Sequence, residues 1–190
     1  GKRRSPRPGG FCMSGAARIS CDEVIASAAT MSPVADPSLG MFAENLELLV
    51  GSINEEAQLS DRGAAACTWM LASAQSKRIE VSHWWETEPA IREQRVDRPV
   101  FLTGLPRSGT TYFQYLFDRE PTLRMMRTWE GDSPCPPPAA DPASAAQRHA
   151  QCAERHRQRR EQDGGASDSF HLSDPDGPQE CVMIMDQTFG

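Results

Sequence analysis

The sequence predicts an α/β fold in which a parallel sheet follows a short helical segment. The first observation is the apolar run at 100–103, which follows Pro99 and has the length and composition of a buried parallel strand. The second is the spacing of the apolar residues at 112–117, which is helical and gives the order strand, glycine-bounded turn, helix. A further apolar run at 181–185 predicts a second buried strand.

The composition excludes several classes of function. The 190 residues carry 20 lysines and arginines against 26 aspartates and glutamates, which gives a net charge of −6. A general nucleic-acid binder needs a basic surface, so this acidic chain is not expected to bind nucleic acid. The sequence contains no stretch of about 18 consecutive apolar residues that predicts a membrane-spanning helix. No apolar segment follows the basic residues at 2–7, as it would in a signal peptide.

The cysteines indicate the compartment in which the protein works. All six are scattered along the chain without a C-x-x-C pair. In a chain with no secretion signal, this pattern is typical of reduced thiols rather than of a disulfide framework, and it predicts a cytoplasmic protein.

The chain divides into three parts. Residues 1–35 mix arginine, proline, glycine and serine without sustained periodicity, and we expect most of them to be disordered. Residues 36–95 predict a helical N-terminal segment that has no catalytic signature of its own. Residues 96–190 contain both predicted strands, and the chemistry of the chain is expected there.

Three helices are expected in the N-terminal segment. The Asp-Pro pair at 36–37 can begin the first, because aspartate caps helices and proline is tolerated in the first helical turn. Ser60 begins the second, and a short third helix is expected at 82–88, before Pro89. The apolar stripe of the first helix comprises Phe42, Leu46, Leu49, Val50 and Ile53, and one face of the second comprises Ala66, Trp69, Met70 and Ser73.

Two polar segments lie in the C-terminal part. Residues 132–146 contain five prolines and are expected to form a loop, whereas 147–161 predict a basic, exposed helix. On that helix, His149, Cys152 and His156 share one face at a spacing that would suit three zinc ligands. The surrounding arginines would repel a dication, so we expect a solvated helix face and no metal site.

The segment Gly-Leu-Pro-Arg-Ser-Gly-Thr-Thr at 104–111 has the features of a phosphate-binding turn. Its two glycines bracket a turn between a predicted strand and a helix N-terminus, where backbone N–H groups and the helix dipole favour an anion. The expected cofactor-binding residues are Gly104, Pro106, Arg107, Ser108, Gly109, Thr110 and Thr111.

This turn differs from a nucleoside-triphosphate site at one position. Its spacing matches a Walker A loop, but Thr110 stands where the lysine belongs. That lysine serves the β- and γ-phosphates, and the adjacent hydroxyl holds Mg²⁺, so a triphosphate with its metal fits less well than a single phosphate. Arg107 supplies a permanent cation whose planar fork suits tetrahedral oxyanions.

The stretch PVFLTGLPRSGTTYFQYLFDREP at 99–121 resembles the 5′-phosphosulfate-binding loop of the sulfotransferases. The likeness is greater to bacterial sulfotransferases and to protein-tyrosine sulfotransferases, in which the loop reads P-R-S-G-T-T. Shorter stretches at 78–89, 127–130 and 171–181 resemble the bacterial group in the same order. The resemblance thus covers 36–190.

The resemblance implies a fold, a cofactor and a reaction. The fold is a P-loop-like three-layer α/β fold with a parallel sheet, of which this chain would hold an incomplete part. The cofactor is 3′-phosphoadenosine 5′-phosphosulfate (PAPS), used without a metal, and the acceptor is a hydroxyl or amine on a small molecule, carbohydrate or lipid. The family grips the 3′-phosphate with a second motif bearing Arg and Ser. No candidate for it occurs in 1–190, so a C-terminally truncated member is expected.

The resemblance also implies catalytic roles. Arg107 would supply the cation near the breaking bond. Glu130 follows the loop helix in a place comparable to that of the glutamate base of protein-tyrosine sulfotransferases, and a structural glutamate is the competing interpretation. His171 is the second candidate base, because cytosolic sulfotransferases use a histidine, with a plain loop histidine as its competing interpretation.

Two other interpretations of the chain stay open. In one it is a P-loop kinase or NTPase, which would require Mg²⁺, and the missing Walker lysine counts against this. In the other it is a truncated chain that binds nucleotide without turnover or has no activity. The acceptor and the oligomeric state have no signal in the sequence.

Overall fold

The computed structural model of the chain describes residues 16–34, 42–105, 108–166 and 174–189. These ranges form mainly helices, which are α1 (Cys21–Met31), α2 (Ala43–Glu56), α3 (Asp61–Thr87), α4 (Pro89–Arg92), α5 (Thr110–Phe117), α6 (Thr128–Asp132), α7 (Pro142–Asp163) and α8 (Val182–Met185), followed by a 3₁₀ turn at Asp186–Thr188. No described residue belongs to a strand, and an isolated antiparallel bridge joins Arg127 to Pro178.

The predicted three-layer parallel sheet is therefore wrong for the described part of the chain. Residues 100–105 form no regular secondary structure, no strand pairs with them among the described residues, and Phe101 is 83% exposed. A strand exists only where a neighbour satisfies its N–H and C=O groups, so an apolar run alone does not make one. The second predicted strand, at 181–185, instead forms the short helix α8, because a five-residue apolar run suits either conformation.

Part of the segment predicted to be disordered is ordered. Helix α1 lies within 1–35 and buries Val24 and Ala28, one helical turn apart. Asn54 of α2 fixes the preceding residues, because its side chain accepts a hydrogen bond from the Ile19 N–H at 2.8 Å and donates one to the Ile19 carbonyl at 2.9 Å. The prediction of a disordered leader is thus wrong for α1, and residues 1–15 lie outside the described ranges.

Helices α1, α2 and α3 share one apolar core. Leu46 and Val50 are buried, which confirms part of the stripe predicted for the first helix, while the predicted start at 36–37 lies outside the described residues. The buried core residues are Ile19, Val24, Ala28, Leu46, Val50, Ala64, Ala72 and Ile79. Small residues of α3 in this set allow the close approach of α1, with which α3 makes its largest packing contact.

Helix α3 differs from its prediction in length and in its buried face. Ser60 caps it as predicted, since its hydroxyl accepts a hydrogen bond from the Gly63 N–H at 3.2 Å. The helix then continues to Thr87 without a break, so the separate helix expected at 82–88 is wrong. Trp69 and Met70 are exposed, because the packing against α1 uses the alanine face of the helix instead.

Helix α7 begins earlier than predicted and is not fully exposed. It starts at Pro142, capped by Asp141, whose carboxylate accepts a hydrogen bond from the Ser144 N–H at 2.9 Å. Arg148 is buried and donates to the carbonyls of Ser133 and, at 2.6 Å, Pro136, so it holds the proline-rich segment against the helix. The prediction of a solvated basic helix missed this residue because an arginine stem packs well beneath a polar surface.

The zinc-like spacing on α7 does not produce a metal cluster among the residues with described positions. His149 pairs with Asp176 at 2.8 Å, and Cys152 is buried against the rest of the fold. In the same ranges, no helix is both long and apolar enough to cross a membrane.

Replacing Leu46 with alanine should remove a fully buried side chain from the α1–α3 core. We expect the free energy of unfolding to fall by about 2–5 kcal/mol, measured by urea denaturation followed by circular dichroism. Leu48→Ala, on the exposed side of the same helix, is the control and should change it by less than about 0.5 kcal/mol. Equal losses for the two variants would contradict this core.

The described cysteines should differ in reactivity. Burial raises the pKa of the Cys135 thiol to about 12 and also raises the pKa of Cys152, whereas Cys181 is exposed. At pH 8 only about one Cys135 in ten thousand is a thiolate, so native protein treated with iodoacetamide should be alkylated at Cys181 and spared at the two buried thiols. Peptide mass spectrometry measures the extents, and urea should abolish the difference. Fast native labelling of Cys135 would contradict the packing of the proline-rich segment.

Candidate functional site

The start of the predicted phosphate loop is folded back on itself. The Ser108 N–H donates to the Leu105 carbonyl at 3.1 Å, which holds these two residues close together. A Cβ added to Gly104 would lie 2.7 Å from both Ser108 Oγ and Thr110 Cγ2. A larger residue at position 104 would therefore displace the Ser108 and Thr110 side chains from their present positions.

Gly109 forms the junction between this turn and helix α5. Its φ of 88° lies in the left-handed region that favours glycine, and it occupies the N-cap position of the helix. A glycine cap has no side chain to bond the first helical N–H groups, so those amides and the helix dipole are available to an anion. No side-chain cap hydrogen bond is formed at this helix N-terminus.

Two residues of the predicted loop lie outside the described residues. These are Pro106 and Arg107, and the second candidate base, His171, also lies outside them. Of the other predicted cofactor-binding residues, Ser108 and Gly109 are exposed, while Thr110 and Thr111 of the first turn of α5 are half-buried. The turn thus opens to solvent at the helix N-terminus.

The far end of α5 is tied to helix α6 by an ion pair. Arg127 Nη1 donates to Asp118 Oδ2 at 2.7 Å, directly after the last residue of α5. The same nitrogen donates to the Asp176 carbonyl at 3.1 Å. The hydrogen bond to Asp118 raises the pKa of Arg127, so the guanidinium carries a fixed charge at this junction.

Glu130 is the third residue of α6, and its carboxylate is held by two donors. Oε2 accepts a hydrogen bond from the Arg127 N–H at 2.9 Å, as in a capping box. Oε1 accepts one from Arg124 Nη2 at 2.6 Å. The side chain is 15% exposed, and these contacts fit the competing interpretation of a structural glutamate, while the role of a base stays a prediction. Each oxygen keeps a second lone pair with which it can accept a proton.

The other neighbours of α6 form an aromatic and cationic layer. Arg148 lies over the Trp129 ring at 5.6 Å, within the range of a cation–π contact. The His149 ring meets the same indole edge to face at 6.0 Å. This layer holds the segment that contains Glu130 against α7.

The sequence analysis missed the pair formed by His149 and Asp176. Their side chains approach to 2.8 Å, although 27 residues separate them and no motif contains both. Pairs of this kind arise from tertiary packing, and His149 drew attention only for its spacing from Cys152. Next to this layer, burial raises the pKa of both Cys135 and Glu80 and lowers the pKa of Arg148.

Comparisons with known proteins agree with the geometry of the loop. Residues 99–190 match the profile described as the sulfotransferase family. Among curated proteins, no sequence matches the chain significantly.

Two solved structures resemble the chain over most of its length. The sulfotransferase STF1 from Mycobacterium tuberculosis H37Rv is 25% identical over 90% of this chain and 47% of its own, with a TM-score of 0.70. The sulfotransferase STF9 from Mycobacterium avium is 26% identical over 90% of this chain and 44% of its own, with a TM-score of 0.73. This chain therefore spans less than half the length of either structure, although nearly all of it follows their backbone course.

The matched profile includes the predicted phosphate loop and α5. It begins at Pro99, immediately before the apolar run at 100–103. Residues 99–190 are thus similar to the sulfotransferase family, and the chain as a whole resembles two solved sulfotransferase structures.

Proposed function

We propose that the complete protein transfers a sulfuryl group from PAPS to a hydroxyl or amine acceptor. The observation that supports this most directly is the left-handed turn at Gly109, which leads into the N-terminus of α5 without a side-chain cap. A turn of this kind binds a phosphate group through backbone N–H donors. It lies within the segment that matches the sulfotransferase family.

The residues around the turn fit the 5′-phosphate end of this cofactor. Ser108, Thr110 and Thr111 would add hydroxyl donors to the amides of the first helical turn, and Arg107 would add the cation. When bound, PAPS supplies a sulfuryl group attached to a phosphate leaving group. We propose no metal for the reaction, because the lysine and hydroxyl pair of a Mg²⁺-triphosphate site is incomplete at Thr110.

Glu130 is the proposed base for the acceptor. Two hydrogen bonds hold its carboxylate in place, and each oxygen keeps one lone pair. It could therefore take the proton that the acceptor loses. His171 remains the alternative base. We propose that the acceptor is a small molecule, carbohydrate or lipid, and that the reaction takes place in the cytoplasm, where the scattered cysteines stay reduced.

Arg107→Ala tests the proposed cation. In the complete protein, we expect the transfer of labelled sulfate from PAPS to fall by about 100-fold or more, as for other groups that stabilise charge in a transition state. Arg107→Lys should recover part of the rate, since it keeps the charge but loses the fork. Circular dichroism should show an unchanged fold in both variants. Unchanged turnover in Arg107→Ala would defeat the proposal.

Gly109→Ala tests the left-handed junction. A side chain at a φ of 88° is strained by about 1–2 kcal/mol, and relief of that strain would rotate the first amides of α5. We expect the affinity for adenosine 3′,5′-bisphosphate, measured by calorimetry, to fall about tenfold.

The matched control for this variant is Gly51→Ala. Gly51 lies within α2 with open space around its Cα, so alanine there should leave binding unchanged and stabilise the helix by about 0.5–1 kcal/mol. Tight binding by Gly109→Ala would show that the turn does not hold the nucleotide.

Dependence on Mg²⁺ separates the proposed reaction from the kinase interpretation. Transfer from PAPS should proceed unchanged in EDTA, whereas a kinase or NTPase requires the metal. Hydrolysis of ATP that requires Mg²⁺, without transfer from PAPS, would favour the kinase.

A further inference from the structure

We propose that Arg127 is a positioning residue for the transfer reaction, which fixes the Glu130 carboxylate relative to the phosphate loop. The inference rests on the proposed function and adds a residue that the loop motif does not contain. Its basis is a set of contacts that joins the end of α5, the start of α6 and the 174–178 turn at one guanidinium.

The first contact joins Arg127 to the helix that starts at the phosphate loop. Asp118 follows α5 directly, and its Oδ2 accepts the 2.7 Å hydrogen bond from Nη1. The other oxygen of Asp118 is buried and has no hydrogen bond among the described residues. The guanidinium offsets the charge of this partly buried carboxylate, because the carboxylate has no other partner among the described residues. Breaking the pair therefore costs more than breaking an exposed surface contact.

The second set of contacts joins Arg127 to the turn that supports α6. Its Nη1 reaches the Asp176 carbonyl, while the Thr128 N–H donates to the Gly177 carbonyl at 3.0 Å. The Trp129 N–H donates to the Pro175 carbonyl at 3.2 Å. The first turn of α6 is therefore bonded through its backbone to the same segment that Arg127 holds.

The third contact leads to the proposed base. The Arg127 N–H donates to Glu130 Oε2, so a shift of residue 127 moves the carboxylate with it. Arg124 also pairs with Glu130, but its side chain is 73% exposed and such pairs constrain little. The Arg127 side chain is 34% exposed and has two acceptors, which makes it the stronger constraint.

Helix α5 is rigid, so the contact between Arg127 and Asp118 fixes the distance between α6 and the glycine junction at the other end of α5. Its eight residues extend about 12 Å from the glycine junction to Asp118. A base displaced by about 1 Å can cost a reaction about 100-fold in rate. The phosphate loop lies at the opposite end of α5 from Asp118, so loss of Arg127 should affect turnover more than nucleotide binding.

The test uses Arg127→Met and Arg127→Lys in the complete protein. We expect kcat for transfer from PAPS to fall about 10- to 100-fold in Arg127→Met, while KM for PAPS changes less than about threefold. Arg127→Lys should restore part of kcat, because it keeps the charge near Asp118. Arg157→Met is the control, since it removes an arginine of α7 that pairs with Glu154 and Glu161, and it should leave kcat unchanged.

A double-mutant cycle tests whether Arg127 acts through Glu130. Glu130→Gln removes the base but keeps a side chain able to accept the capping hydrogen bond. If Arg127 acts through the carboxylate, the double variant Glu130→Gln with Arg127→Met should have the kcat of Glu130→Gln alone, within about twofold. Losses that multiply would show that Arg127 acts elsewhere and would overturn the inference.

One further variant distinguishes unfolding of the protein from displacement of the Glu130 carboxylate. If Arg127→Met does not fold, Asp118→Asn added to it removes the uncompensated carboxylate, and the measurement is made on that pair. Wild-type protein that transfers no sulfuryl group would overturn the proposed function and the inference together. Active wild type, with an Arg127→Met variant that keeps its kcat within about twofold, would overturn the inference alone.

Discussion

The hydrogen-bonded ion pair between Asp118 and Arg127 joins the two halves of the candidate site. Helix α5 begins at the glycine junction and ends at Asp118, so the pair sets where the helix stops relative to α6. Tyr115 of α5 also lies beside Gly177, whose carbonyl accepts the Thr128 N–H of α6, so the pair is one of at least two links between these helices among the described residues. The chemistry proposed for this chain therefore depends on a contact that lies outside the phosphate loop itself.

Ion pairs offset much of the positive charge of the described arginines around α6. Several arginines near Glu130 are paired with carboxylates, and these pairs are Arg124–Glu130, Arg127–Asp118 and Arg155–Asp132. Such pairs contribute little net field to an anion nearby. The attraction for a nucleotide phosphate then falls to the amides of α5 and to Arg107, in a chain whose net charge is −6.

The sequence predicted features that depend on residues close together in the chain. It did not predict contacts between residues that are far apart in the chain. The Ser60 cap and helix α5 follow from side chains within a few residues, and both were predicted. The predicted sheet is wrong for the described residues, because a strand at 100–103 needs a partner that they do not place beside it. Burial of Arg148 and the pairing of His149 depend on tertiary contacts, which spacing along one helix does not report.

The substitution of a threonine for the Walker lysine fits the chemistry of the proposed reaction. A transferring phosphoryl group bears more negative charge than a sulfuryl group, so it needs a lysine and a metal to offset the charge that develops. A transferring sulfuryl group needs less positive charge around it. The amides at a helix N-terminus and one guanidinium would supply that smaller charge. The tight turn at Gly104 and the left-handed Gly109 present those amides without a side chain in the way, and Thr110 adds a hydroxyl where a second cation would be superfluous.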